Sequence, residues 1–228
     1  MPKVASWEIE LWSYLSSGDG MCCPLRSRCQ RRQGGGWCPD ENIEAINRLL
    51  DDREFNLHSC DFIVSEEAMG NCRLCQLVEM LAQKYLRIGK VSSLPVPTGV
   101  FSLADEQRSI EIHSLPLKSY RGAIWRLNDG WVVQLKDGDT SAAKRFVLFH
   151  EAFHILAHRG GTPVFRKRGL EQGSFNELLA DYFASCILMP REWIKERWAE
   201  IKDLDTMAEI SAVPKSCMCI RLKWLGLI

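Results

Sequence analysis

Two histidines and a glutamate on one short stretch carry the clearest chemical signal in this sequence. The stretch reads His150-Glu151-Ala152-Phe153-His154. On an α-helix, residues four apart lie one turn from each other, about 6 Å along the axis, so both imidazoles point from the same face. Two such nitrogens can bind one zinc ion, and the glutamate between them is placed to activate a metal-bound water. The motif therefore predicts metal-assisted hydrolysis, most often of a peptide bond.

The residues around the motif predict the helix that this chemistry requires. Residues 139–141, Asp-Thr-Ser, supply N-cap candidates, and 142–158 then contain neither Gly nor Pro. Gly160 and Gly161 are suited to end the helix. The alternative is a buried helix whose histidines are only hydrogen-bonded in a core. The motif and its caps together favour the metal site.

A zinc site of this kind needs a third protein ligand. His158 lies a further turn beyond His154, and one ion cannot easily reach three consecutive turns, so we expect His158 beside the metal or at the helix end. Glu177 is a better candidate, because Glu177 and Asp181 place two carboxylates on one face of a second predicted helix, 174–189. Asp181 would accept a hydrogen bond from a ligand histidine and fix its tautomer.

Glu177 also has a purely structural explanation. Ser174 and Glu177 fit a capping box, in which the glutamate closes the start of the helix. A cap needs no second carboxylate one turn later, so Asp181 favours the ligand role. Glu171 is a weaker candidate for the third ligand, because it falls in a Gly-rich loop that does not fix its position.

These residues carry a family resemblance. The segments 145–158 and 177–190 resemble the ImmA/IrrE family of metallopeptidases, and the stretches 122–125 and 131–135 fit that family too. The resemblance implies that His150, His154 and Glu177 are the zinc ligands and that Glu151 is the general base. It also implies a protein substrate, since members of the family cut helix-turn-helix transcriptional repressors in stress responses.

The fold that goes with this resemblance is α+β. We expect a zincin-like metallopeptidase domain at 72–195, with the active-site helices packed on a small antiparallel or mixed sheet. A Cys-rich N-terminal segment, 1–71, and a helical tail, 196–228, would flank it. The alternative function is a regulatory protein that uses this scaffold to hold a repressor or DNA without cutting anything. The intact motif argues against that alternative, because a protein that had lost its catalytic activity would not need Glu151.

The N-terminal cysteines are candidates for a second metal site. The segment between Cys22 and Cys38 has little capacity to form a packed core, and thiolate binding to a metal can order such a segment. Structural zinc and an iron–sulfur cluster are both allowed by the ligand type, and the alternative is a set of ordinary reduced thiols. The candidate ligands are Cys23, Cys29, Cys38, Cys60, Cys72 and Cys75.

Composition limits the partners. Lys and Arg together number 29, as do Asp and Glu, so there is no global attraction to nucleic acid or membrane. The start of the chain lacks the apolar core of a signal peptide, and no apolar run is long enough to span a bilayer. We therefore expect a cytoplasmic protein whose cysteines are reduced or bind metal.

The remaining elements are predicted at lower detail. A helix is expected over 72–88 and strands over 110–114, 122–126 and 131–135, with a hairpin turn at Asn128-Asp129-Gly130. One edge of the sheet is expected to lie beside the active site, where an extended substrate can pair with it, but the sequence does not indicate which strand forms that edge.

Two short helices around 211–214 suggest a small helix-turn-helix in the tail. Direct DNA binding is one interpretation of it. Packing of Ile220, Leu222 and Leu225 against the catalytic domain is the favoured one.

Overall fold

The computed structural model describes residues 4–17, 22–25, 72–118, 120–160 and 175–228. Within these ranges the α-helices are α1 (Ser6–Ser16), α2 (Arg73–Ile88), α3 (Ser141–Gly160), α4 (Phe175–Leu188), α5 (Arg191–Ile201), α6 (Leu204–Ser211) and α7 (Lys215–Trp224). A 3₁₀ helix spans Thr98–Ala104, and the strands are β1 (Ser109–Leu115), β2 (Gly122–Arg126) and β3 (Gly130–Lys136).

The sheet is small and mixed, with the strand order β1-β3-β2. β2 and β3 form the predicted antiparallel hairpin, which is closed by a hydrogen bond from the Leu127 N–H to the Gly130 carbonyl at 2.9 Å. β1 pairs with β3 in parallel. A side chain at Gly130 would come within 2.7 Å of the backbone of Ser109, so glycine allows the close approach of these two strands.

Helix α3 packs on this sheet, and α4 packs against α3. Alternate residues of β3, Trp131, Val133 and Leu135, are buried. Between the helices, Phe153 and Phe183 lie with their ring centroids 5.5 Å apart. The helix-rich fold with a small mixed sheet fits the expected α+β, zincin-like architecture.

Both predicted active-site helices are confirmed to within two residues at each end. At the start of α3, the Thr140 hydroxyl accepts a hydrogen bond from the Ala143 N–H at 3.2 Å, as an N-cap residue does. None of the helices in the described ranges has the combination of length and apolar character that a bilayer crossing requires.

The first and last helices pack on the same core. In α1, Leu11 is fully buried and Trp12 lies 6.2 Å from Phe153, ring centroid to ring centroid. In α7 the favoured packing of the tail is confirmed, because the side chains predicted to pack are 0–1% exposed: Ile220, Leu222 and Leu225. The domain boundaries at 72 and 196 stay predictions.

A buried arginine connects α7 to α2 and to the end of α4. Arg221 is 0% exposed; its Nε donates to the Met189 carbonyl and its Nη2 to Glu79 Oε1, both at 3.0 Å. Arg191 donates to the same carboxylate at 2.9 Å. Burial tends to raise the pKa of Glu79, but the two guanidinium groups outweigh burial and hold that pKa below its ordinary value.

Candidate metal centre

Three side chains from α3 and α4 converge on one point. The Nε2 atoms of His150 and His154 lie 3.0 Å apart. Glu177 places Oε2 at 3.2 Å from the first of these nitrogens and Oε1 at 3.6 Å from the second. Among the histidine, cysteine, aspartate and glutamate side chains of the described residues, these three are spaced so that they could hold a metal ion.

The donor set and its spacing fit zinc. Two donor atoms bound to a tetrahedral zinc at about 2.0–2.1 Å lie about 3.4 Å from each other. The three separations in this site, 3.0, 3.2 and 3.6 Å, bracket that value. Two imidazole nitrogens and one carboxylate are also a ligand set of catalytic zinc sites, which leave the fourth position open.

Asp181 supports the site from behind. Its Oδ1 lies 2.7 Å from Nδ1 of His150, and the Asp181 side chain is only 6% exposed. A carboxylate can only accept, so Nδ1 of His150 donates, and this orients the ring with Nε2 toward His154 and Glu177. Because Glu177 and Asp181 are four residues apart on α4, one helix face supplies both carboxylates.

The two histidines have opposite protonation behaviour. Burial alone would lower the pKa of His150, but the Asp181 and Glu177 carboxylates raise that pKa to about 10. Burial lowers the pKa of His154 to about 4, and the charges of His150 and His158 act in the same direction. The carboxylates thus favour positive charge between the two rings, which is where a divalent cation would lie.

Glu151 lies where α3 meets the start of β2. Its side chain is buried, at 5% exposed. A Cβ atom built on Gly122 would be 2.8 Å from Glu151 Oε1 and 2.4 Å from Val147 Cγ1. Only a glycine therefore leaves the strand this close to the carboxylate. In the part of the chain that the structure describes, β2 is also an edge strand of the sheet.

The other residues considered for the site lie elsewhere. His158 packs its ring against Trp131, with the centroids 6.1 Å apart, and it reaches the site through its electrostatic effect on His154. Tyr182, on α4, is 1% exposed and packs against Trp224, so its side chain faces the core. Glu171 lies outside the described residues.

Part of the cysteine group is described. Cys72 is the N-cap residue of α2, and Cys75 is buried one turn later. Burial raises the pKa of Cys75 well above its ordinary value, and neighbouring Cys72, Cys186 and Cys23 add to the effect. Cys186, on α4, was not foreseen, because nothing in the sequence pairs it with the N-terminal cysteines. The remaining candidate ligands lie outside the described residues, so the second metal site stays a prediction: Cys29, Cys38 and Cys60.

Comparison with known families agrees with this geometry. The family model Peptidase_M78, described as IrrE N-terminal-like domain, matches residues 105–223, more than half of the chain. The chain belongs to this family. The match includes β1 to β3, both helices of the site and most of α7. A comparison with curated proteins finds no relative that matches. The family and the His-His-Glu group together support a metallopeptidase in general.

Proposed function

We propose that this protein is a zinc-dependent endopeptidase in which His150, His154 and Glu177 hold the metal and Glu151 is the general base. The observation that carries the proposal is the convergence of the three donor groups within 4.8 Å, with the buried carboxylate of Glu151 on the helix that carries both histidines. When bound there, zinc would polarise the scissile carbonyl and lower the pKa of the attacking water.

Each residue has a distinct task in this proposal. Asp181 holds the proton on Nδ1 of His150 and thereby keeps Nε2 available as a donor to the metal. Glu151 takes a proton from the attacking water and passes it to the leaving amine. Its burial beside Gly122 restricts its position, which favours transfer to a substrate lying along β2.

β2 is the strand on which we expect the substrate to bind. One side of β2 pairs with β3, and in the described part of the chain β2 ends the sheet. Its residues are half-buried or exposed, and its first residue lies against the general base. An extended peptide can add to such an edge through backbone hydrogen bonds, which places a peptide bond at Glu151 without strict sequence demands.

The substrate class follows from the family. Because members of the ImmA/IrrE family cut helix-turn-helix repressors, we propose a regulatory protein of that kind as the substrate. The family assignment is the support for this step. The alternative, a protein that binds a repressor or DNA without cutting, predicts a stable complex and no cleaved product.

A mixed-sequence peptide library tests the function directly. Wild-type protein should cut the library, lose this activity with a zinc chelator and regain it when zinc is returned. Glu151→Gln should keep its metal and cut nothing detectable. Glu200→Gln is the matched control, because Glu200 is an exposed glutamate on α5 whose partner is Arg197, and it should behave as wild type. Substantial cutting by Glu151→Gln would refute the assigned base, and an uncut library would favour the binding alternative.

A further inference from the structure

A basic cleft lies at the end of β2 that is far from the metal centre. Its volume is about 300 Å³. The end of β2, the start of β3, the last turn of α3 and the segment after the 3₁₀ helix form its walls. The side chains that line it are Gln107, Arg108, Arg126, Trp131, His158 and Arg159.

The charge of this cleft is strongly unbalanced. Three of the side chains that line it are arginines, and none of the described ones is acidic. One carboxylate lies beneath: Asp105 is 1% exposed and accepts from Trp131 Nε1 at 3.0 Å. Its oxygens also lie 3.2 Å from Arg108 and 3.8 Å from Arg159. The surplus is therefore about two positive charges. It is local, because the whole chain is neutral.

The same carboxylate and the tryptophan fix the shape of the cleft. Arg126 lies over the Trp131 ring, with its guanidinium carbon 5.7 Å from the centroid. Trp131 is held by Asp105 and packs against His158. The planar guanidinium of Arg126 presents a fork of N–H donors, which suits bidentate recognition of a carboxylate.

The position of the cleft relative to the catalytic residues follows from the strand. Side chains alternate along a strand, so Arg126 is on the same face of β2 as Gly122, the face that meets α3. Four residues of strand separate them, or about 13 Å. Since Gly122 lies against Glu151, a peptide extended along β2 would reach the cleft three to four residues from the bond that is cut.

We propose that this cleft is a subsite for an acidic side chain of the peptide substrate. The inference rests on the proposed peptidase function and adds a specificity to it. Antiparallel pairing with β2, the more stable direction, puts the acidic residue on the N-terminal side of the scissile bond. A free C-terminal carboxylate could not lie on that side, so Asp or Glu is the expected group.

The same peptide library measures this preference. Among peptides cut by wild type, Asp and Glu should be about tenfold enriched over Asn and Gln three or four residues before the cut, as expected for one charge-assisted hydrogen-bonded pair. Arg126→Gln should reduce the enrichment, because the surplus falls to about one positive charge, and Arg126→Glu, which brings the cleft to about zero net charge, should abolish it. Arg197→Gln removes an equal charge from a 55% exposed arginine on α5 and should leave the enrichment intact.

A binding measurement separates the failure of this inference from that of the function. Immobilised Glu151→Gln protein, loaded with zinc, should retain acidic members of the library, and Arg126→Glu added to that variant should remove the selection. Cutting without acidic enrichment overturns the subsite and leaves the peptidase intact. Arg126-dependent retention without any cutting by wild type supports the subsite and overturns the peptidase. If the library shows no acidic enrichment among cut peptides and no selective retention of acidic peptides, the subsite is overturned.

Discussion

Adding one methyl group at Gly122 should impair catalysis while leaving the metal ligands untouched. The Cβ of Gly122→Ala would be 2.4 Å from Val147 Cγ1 and 2.8 Å from Glu151 Oε1. Carbon atoms pack at about 3.5–4.0 Å, so strand and helix must separate by about 1 Å or Glu151 must move. A misplacement of about 1 Å can reduce a rate about 100-fold, and we expect a loss of kcat/KM of that order.

The same crowding should lower stability only moderately. An extra methyl group in a packed region costs about 1–3 kcal/mol, which for a chain of this length lowers Tm by roughly 2–4 °C per kcal/mol. Cleavage of the best peptide from the library, zinc content and thermal unfolding are measured on the same preparation. Gly99→Ala and Gly138→Ala are matched controls, because an added Cβ at either position meets no atom within 4 Å.

Two results would refute this reasoning. Wild-type kcat/KM in Gly122→Ala would mean that β2 does not restrict Glu151. A loss of zinc in that variant would mean that the change disturbs the ligands rather than the base. The expected pattern is reduced turnover, full metal content and unaffected glycine controls.

Three further changes test other parts of the structure. Asp181→Asn should reduce metal affinity about 10–100-fold, measured by competition with a chelator, because the ring of His150 loses the carboxylate 2.7 Å from its Nδ1; unchanged affinity would contradict the supporting role. Arg221→Met should lower the free energy of unfolding by about 3 kcal/mol in a denaturant titration, since it removes a fully buried charge from its partner Glu79, and a change near zero would show that the pair contributes nothing. The pKa of Glu79 is lower in the folded chain than its ordinary value, so the stability that the Glu79 carboxylate contributes is present above about pH 4.3 and is lost as the pH falls through the folded pKa. The difference in unfolding free energy between wild type and Glu79→Gln should therefore shrink on acidification. A difference that grows would contradict the direction of the pKa shift.

The sequence predicts the active-site helices well because local signals define them. Thr140 caps α3 as expected, and the helix extends to Gly160, within two residues of the predicted end. The turn at Asn128-Asp129-Gly130 likewise specifies the β2–β3 hairpin from local sequence alone. The pairing of Glu177 with the histidines depends on two helices meeting, and the spacing of Glu177 and Asp181 on one face is what made it predictable.

Features that join distant segments could not be predicted in this way. β1 pairs with β3 in parallel, which requires a long connection between the two strands. No local sequence pattern indicates this pairing or its register. The approach of Gly122 to Glu151 identifies β2 as the edge strand beside the metal centre. The alternation of polar and apolar residues in the sequence does not indicate which strand takes that place. The basic cleft unites four segments, and its arginines are dispersed in a chain of zero net charge.

The most direct test of the account is the zinc content of the purified chain. Wild type should hold one zinc that is lost in His150→Ala/His154→Ala, while His113→Ala, a change at an exposed histidine on β1, should keep it. Zinc that remains in the double variant, or iron in samples prepared without air, would identify a second metal bound by the N-terminal cysteines. A wild-type chain without zinc, or a double variant that loses none, would contradict the assignment of a metal centre to His150, His154 and Glu177.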